Sequence, residues 1–524
     1  MYLTSGIFRN NSTGKRMDWK KLSAGIKKQI AVPENVFALA LGIAGISTLC
    51  TVLFLTDIYR DTAHVYAVFA REIGRGNYFD GIATKVPMLN ISLAGLLARC
   101  GMEAVKALSL IGGSFYLATC FPLRKLLERY VSPLMAAWGC VLYVTAPKMI
   151  RFACAPLIDS ASIFFLVTAA LFFLRTAEDP KWRNAGILGL SAGFLAASRG
   201  EGFITATVLL LGLPVFAALF RQQTSWKKLP VMWILAIFCA LAAVSPFCAM
   251  NYQKSGYFVT DARCVGYVKS FGKAFGLIPV EPEQKKQLFM SEDNGNNSWI
   301  AKFGHQFSCM MRAGYELYWI FAVIGLIVII RKKRLKSDYL LLLGITILHC
   351  VIYLFTVSAT RYYLFIVPFY MVFTLTGIDF LRQKFVPEIP GKVRFLLPVI
   401  CGIILLLQTG NGLKRAFSGS GDGKDQQAAG KWIENYGQQH FPDRELVIFA
   451  PGMTETAYWS KARHTDGYEK KQHDPATFRE FDLAVVHRKK SFGLEKRKDL
   501  ERIPDTPYAE DIWIFKPVKQ ENKQ

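Results

Sequence analysis

The chain is short of acid. Across 524 residues, 39 Asp and Glu stand against 63 Lys and Arg, a formal charge of +24. Its 11 Cys form no CxxC and no Cys/His run with metal-ligand spacing, so neither a zinc site nor a disulfide framework is expected. Most of them (Cys50, Cys120, Cys140, Cys239, Cys248, Cys350 and Cys401) fall in or beside apolar runs, where a thiol behaves as a small hydrophobe. No glycine-rich phosphate loop occurs, which argues against nucleotide binding of the kind seen in soluble transferases. No internal repeat of the transporter kind is present. The first apolar run is too long for the core of a signal peptide and no small-residue cleavage pattern follows it, so a cleaved leader is not expected.

What the chain has in abundance is apolar sequence. Hydrophobic residues make up 52% of it and mean hydropathy is +0.25. The apolar residues come in runs of roughly 17–22, the length that crosses a ~30 Å hydrocarbon core. This predicts a mainly α, polytopic membrane protein whose first partner is the lipid bilayer. The basic excess then reads as Lys and Arg in cytoplasmic loops and near anionic headgroups. Nucleic acid is not an expected partner.

Residues 1–35 carry Arg9, Lys15, Arg16, Lys20, Lys21, Lys27 and Lys28 against Asp18 and Glu34, which predicts a cytoplasmic start. Eleven transmembrane helices follow: Val36–Leu55, Val105–Phe121, Pro133–Ala146, Pro156–Leu174, Ala185–Ala197, Phe203–Phe220, Leu229–Cys248, Leu317–Ile330, Tyr339–Thr356, Tyr362–Phe380 and Phe395–Leu407. With this count every loop placed inside is short and rich in Lys and Arg, Arg331-Lys-Lys-Arg334 being the densest. The loop 57–102 then faces outward. Val65, Phe69 and Ile73 recur at helical spacing, which predicts an amphipathic helix over Thr62–Ile73, and Met88–Ala98 is long enough only for an interfacial helix. A second long outer loop covers 249–313. Residues 36–410 form the membrane domain. After a Gly/Ser linker near 418–423, residues 411–524 read as a small extracytoplasmic α/β domain, with a helix at Asp425–Asn435 and strands at Glu445–Ala450, Phe481–Val486 and Asp511–Phe515.

Ionisable residues at span ends are expensive to keep there and are candidates for function. By topology four groups converge on the outer side: Asp57, Arg60, Asp61, His64 and Lys85; Lys148, Arg151 and Asp159; Arg199 and Glu201; Arg361 with Tyr362 and Tyr363. Cations of this number suit a phosphate, and a carboxylate among them suits removal of a proton from a hydroxyl. Asp61 also stands where an N-cap for Thr62–Ile73 would stand. Arg199 and Glu201 could equally form an ion pair in a tight turn. Asn90-Ile-Ser92 and Asn296-Asn-Ser298 match a glycosylation sequon.

Several of these stretches resemble the GT-C superfamily of polyprenyl-phosphate-sugar-dependent glycosyltransferases, in particular its aminoarabinose transferases and protein O-mannosyltransferases. Arg60-Asp61 with Tyr66 and Ala70-Arg71-Glu72 is similar to the family's acidic motif after the first span. Lys85-Val-Pro87-Met resembles its Lys-Pro-Pro-Leu, with Val86 in place of the first proline. Ser198-Arg199-Gly-Glu201-Gly202 is similar to Arg-Pro-Glu-Gly, and Ser245-Pro246 with Asn251 and Gly256 resembles a Pro…Asn…Gly signature. Arg361-Tyr362-Tyr-Leu-Phe-Ile-Val-Pro368 looks like its Arg-Tyr…Pro element. The tail's Ala428–Ile433 and Tyr458-Trp459 resemble the opening of its outer domain. The resemblance implies an inverting transfer of a sugar from a polyprenyl-phosphate donor to a hydroxyl acceptor on a lipid, glycan or protein. It implies that Asp61 is the base and that Lys85 and Arg361 hold the donor phosphate. Asp159, Arg199 and Glu201 would line the sugar and acceptor pocket. No metal ligand set is evident, although carboxylates beside a phosphate can recruit a divalent cation. Two other functions fit a chain of this class: a flippase for lipid-linked sugars, and a non-catalytic subunit of an envelope-glycan assembly.

Overall fold

The computed structural model describes residues 31–55, 58–59, 61–78, 86–220, 227–261, 264, 299–332, 337–354, 359–388, 396–417, 423–450, 453–465, 481–488, 494–504, 506 and 511–518. Each apolar run read as a span falls for the most part in a helix among the described residues. They are α1 (Pro33–Phe54), α4 (Ala104–Leu127), α5 (Pro133–Thr145), α7 (Asp159–Glu178), α8 (Trp182–Ser198), α9 (Gly200–Phe220), α10 (Leu229–Ser255), α12 (Glu316–Arg331), α13 (Ser337–Leu354), α14 (Val367–Phe385) and α15 (Leu396–Phe417). Between the first two lie α2 (Ala67–Gly74) and α3 (Leu89–Arg99); α6 (Pro147–Ala153) follows α5, and α11 (Trp299–Gly314) precedes α12. The chain is a multi-pass membrane protein. Among the described residues six helices are long and apolar enough to cross a bilayer, or up to eight if each of two bent pairs is one span.

Both bends have local causes. Between α5 and α6 the direction turns by 64°, where Ala146 is extended and Pro147, lacking an N–H, starts a new helix. Between α11 and α12 it turns by 99° at Tyr315, whose φ of 89° is rare for a side chain with a Cβ. The stretch 249–313, expected as a long loop, therefore ends in a helix that its composition did not suggest. Further along, α12 and α14 run in close contact: Cβ atoms on Gly325 and Gly377 would each strike backbone of the facing helix, at Phe373 and Phe321 respectively. Small residues permit such approach where lipid offers no hydrophobic drive to pack.

The stretch predicted as one amphipathic helix is composite. Thr62–Tyr66 is a π-helical turn that continues as α2, a local irregularity that frequently marks functional sites. The Thr62 hydroxyl donates to the Pro156 carbonyl at 2.8 Å, fixing this turn to the segment that leads into α7.

Beyond α15, helices α16 (Gly423–His440) and α17 (Thr454–Ser460) pack on a five-stranded sheet. Its strands are β1 (Val447–Phe449), β2 (Arg463–Thr465), β3 (Leu483–His487), β4 (Leu500–Arg502) and β5 (Ile512–Pro517), in the order β2-β1-β3-β5-β4. β1 pairs in parallel with β2 and β3, while β5 pairs antiparallel with β3 and β4. Alternation along the strands gives two apolar faces. Ile448, Leu483, Val485, Ile512 and Ile514 meet Ala429 and Ile433 of α16 on one face. Phe449, Ala484, Val486, Leu500 and Phe515 form the other. Three of the strands were expected; β2 and β4 are three-residue edge strands, too short to show a pattern.

Candidate functional site

A linear series of ion pairs runs from the interior of the helix bundle to its surface. At its buried end Arg199 is the residue between α8 and α9. Its Nε and Nη2 donate to the two carboxylate oxygens of Glu201 at 3.1 and 2.9 Å, and its Nη1 to Asp159 Oδ1. These three side chains are 2%, 4% and 0% exposed. The second oxygen of Asp159 lies 3.5 Å from Arg361 Nε, and Arg361 Nη1 donates to Asp61 Oδ2 at 3.0 Å. Arg361 is 12% exposed and Asp61 49%. The order is thus Glu201, Arg199, Asp159, Arg361, Asp61, alternating in sign, with three carboxylates to two guanidiniums.

Local sequence explains each placement. Arg199 is extended, at φ −159° and ψ 150°, so it interrupts the helix and turns its side chain inward. Arg361 is in a 3₁₀ segment, Thr360–Ile366, ahead of Pro368. Aromatic rings wall the guanidiniums: Arg199 lies 5.0 Å from the ring centroids of both Tyr362 and Phe365, and Arg361 5.4 Å from Tyr362. Tyr362 stacks on Tyr353 at 5.6 Å, and the buried His349 stacks on Phe365 at 5.6 Å. Burying separate ions costs several kcal/mol each; here each charge faces an opposite one, although Asp159 Oδ2 and Arg361 Nε, 3.5 Å apart, are buried without a hydrogen-bond partner.

Asp61 does not cap a helix. Its backbone is already helical (φ −59°, ψ −35°) and its side chain makes no capping hydrogen bond; the carboxylate turns to Arg361 instead. Asp159, Arg199 and Glu201, expected to line a sugar and acceptor pocket, are buried in their ion pairs. Tyr66 is also fully buried. Asp57, Arg60, Lys85 and the His64 side chain lie outside the described residues. Arg151 is engaged nearby: its Nε donates to the Tyr59 hydroxyl at 2.8 Å. Among the described residues no group of three or more His, Cys, Asp or Glu is placed to hold a metal ion. The sequon at Asn90 is closed to modification in the fold, since Asn90 is 1% exposed; the one at Asn296 lies outside the described residues.

Sequence reasoning missed the contacts that position this group. Phe365 was findable, because it falls four residues after Arg361 on the same aromatic stretch. Thr62 and Tyr59 carry no signal of their own. Nor does Glu455 of α17, whose Oε1 accepts the Ile58 backbone N–H at 3.1 Å and ties the tail to the stretch before Asp61. A second tie lies at Tyr458, whose hydroxyl donates to Glu103 at 2.6 Å; burial and that carboxylate push the phenol well above its ordinary pKa.

This arrangement, a bundle of apolar helices followed by a small mixed α/β tail, is shared with solved structures. The chain matches ArnT from Cupriavidus metallidurans in the apo state over 95% of its own length and 98% of that chain, with a TM-score of 0.61 and 12% identity. It matches the same protein bound to undecaprenyl phosphate over 92% and 98%, with a TM-score of 0.59 and 11% identity. The archaeal oligosaccharyltransferase AglB from Archaeoglobus fulgidus, in complex with an inhibitory peptide and a dolichol-phosphate, gives a TM-score of 0.50 at 11% identity, over 86% of this chain and 69% of that one. At such identities the likeness is one of fold. In sequence, 159 residues are 24% identical to the lipid A galacturonosyltransferase RgtD of Rhizobium johnstonii, covering 30% of this chain and 31% of that protein. The match therefore spans under a third of that relative. No family model matches the chain.

Proposed function

We propose that the chain is an inverting glycosyltransferase that takes a sugar from a polyprenyl-phosphate donor and moves it to a hydroxyl of a lipid, glycan or protein acceptor. The reaction takes place at the outer face of the cytoplasmic membrane, with eleven crossings, a cytoplasmic N-terminus and the tail outside. The observation that carries this reading is the half-exposed Asp61 carboxylate, paired to an arginine that is itself fixed from behind by a buried carboxylate. The GT-C fold, and the lipid phosphates in the ArnT and AglB structures, support the donor class.

In this reading the acceptor hydroxyl donates to Asp61. As its oxygen attacks the anomeric carbon, Asp61 takes the proton. The bond from that carbon to the donor phosphate oxygen breaks, and polyprenyl phosphate leaves with the electron pair. Arg361 and Lys85 meet the charge on the phosphate. Arg361 serves two partners in turn: a donor phosphate draws it from Asp61 and leaves that carboxylate free for the acceptor. The resemblance in sequence assigns Asp57, Arg60, His64, Tyr66 and Tyr362 to substrate binding. Asp159, Arg199 and Glu201 position Arg361 from behind.

The test is transfer from a polyprenyl-phosphate sugar by membrane vesicles, wild type against Asp61→Asn at equal expression. A positioned base supplies about 10²–10⁴-fold, so the variant loses activity on that scale while its unfolding temperature holds. Full activity in Asp61→Asn refutes the role of Asp61. No transfer by the wild type from any polyprenyl-phosphate sugar refutes the enzyme.

A further inference from the structure

A cavity of about 400 Å³ lies between the tail helices α16 and α17 and the outer helices α2 and α3, within the ~300–1,000 Å³ typical of small-molecule sites. Its charged walls are unequal. Arg71, Arg75, Lys431 and Lys461 face it, against Glu103 and Glu434. Lys461 is satisfied by Glu434 at 2.6 Å and Arg75 by Glu72 at 2.8 Å. Glu103 is consumed by its own helix: its oxygens accept the backbone N–H groups of Val105 and Lys106 and the Tyr458 hydroxyl.

Three donors remain. Arg71 is partly engaged, its Nη1 donating to the Tyr458 carbonyl at 3.4 Å and its Nε 4.0 Å from Glu72, but that Nε is buried with no hydrogen-bond partner, and so is the indole Nε1 of Trp459. Lys431 makes no ion pair among the described residues and sits 5.9 Å from the Trp459 ring centroid. A wall with spare donors and committed acceptors calls for a ligand rich in acceptors and negatively charged. Arg71 and Asp61 belong to one helical stretch ten residues apart, about 15 Å at ~1.5 Å per residue. One extended glycan can reach both.

We infer that this cavity binds an acidic saccharide unit, one bearing carboxylate or phosphate, of the acceptor whose hydroxyl is presented to Asp61. The inference rests on the glycosyltransferase reading for the word acceptor, and on the cavity alone for the binding. Lys431 and Trp459 on the tail and Arg71 below it then make tail and membrane helices into two halves of one recognition site.

The test uses the full chain in lipid nanodiscs and calorimetric titration with tetragalacturonate, against cellotetraose as the neutral counterpart. The acidic probe binds at least about tenfold tighter, the scale of one lost charge-assisted hydrogen bond. Lys431→Gln and Trp459→Phe, both checked for an unchanged unfolding temperature, each weaken the acidic probe severalfold and leave cellotetraose where it was. Equal binding of the two probes by the wild type overturns the site, as does unchanged tetragalacturonate binding in both variants. Asp61→Asn separates the two proposals, because it keeps probe binding while transfer is lost. Probe binding in a wild type that transfers nothing removes the glycosyltransferase reading; transfer by a wild type that does not bind the probe removes this site.

Discussion

Helix α7 carries an ionic cluster at each end, and the two differ in everything but residue type. At its N-terminus Asp159 is shared between Arg199 and Arg361, with aromatic rings over both guanidiniums and almost no solvent. At its C-terminus, about 30 Å away for 20 residues, Glu178 is joined by Arg129, which also reaches Asp338 at 2.7 Å. There the side chains are 20%, 37% and 10% exposed for Arg129, Glu178 and Asp338. Both clusters join neighbouring helices through an arginine that bridges two carboxylates. In water such a link is worth little; in the interior it must be complete or it is costly. The Asp159 end is thus a rigid support for Arg361, and the Glu178 end is a screened tether.

Removing the arginine at the buried end separates the two most sharply. Arg199→Met removes the cation that joins Asp159 to Glu201 and leaves Arg361 alone to face Asp159, and we expect a loss of about 3–5 kcal/mol, seen as a large fall in unfolding temperature of the detergent-solubilised protein. Removing a carboxylate together with it, in Arg199→Met with Glu201→Leu, recovers part of that loss, because the penalty comes from the orphaned charge. If Arg199→Met alone unfolds with the wild type, the network is not the support described.

Moving outward along the same series, the expected effect shifts from stability to chemistry. Arg361→Lys keeps a cation between Asp159 and Asp61 but not the fork that reaches both. The loss of one charged hydrogen bond corresponds to roughly 1.5–3 kcal/mol, or about ten- to hundredfold in kcat/KM for the donor. The unfolding temperature moves far less than in Arg199→Met. A lysine variant with wild-type kcat/KM would remove Arg361 from the donor site.

The sequence resolved these two ends unequally. The helices were legible because long apolar runs with basic ends leave few alternatives, and the residues of the buried series were singled out because charges beside such runs are rare. Their connectivity was not legible. Nothing in the spacing of Asp159, Arg199 and Arg361 says that one aspartate serves both arginines, since those contacts join residues 40 and 202 positions away and depend on helix packing. Asp61 shows the converse failure. Local pattern favoured an N-cap, and the tertiary partner Arg361 took the carboxylate instead. The short strands β2 and β4 were missed for the same reason: three residues carry no period, and only pairing with β1 and β5 defines them.

The smallest expected effect is at the exposed end. Arg129→Ala removes two ion pairs; Glu178, 37% exposed, can be solvated, while the buried Asp338 keeps the Ser337 hydroxyl as a partner. We expect the Arg129–Glu178 pair to account for about 1 kcal/mol or less, shrinking as salt is raised because exposed pairs are screened over about 10 Å at 0.1 M ionic strength. A double-mutant cycle of Arg129→Ala with Glu178→Gln, read by thermal unfolding at low and high salt, isolates the pair. Transfer activity should survive, since no described contact links this end to Asp61. A salt-insensitive loss as large as that of Arg199→Met would erase the distinction between the two ends. It would mean that burial of the partners, and not their exposure to solvent, governs the Glu178 end as well.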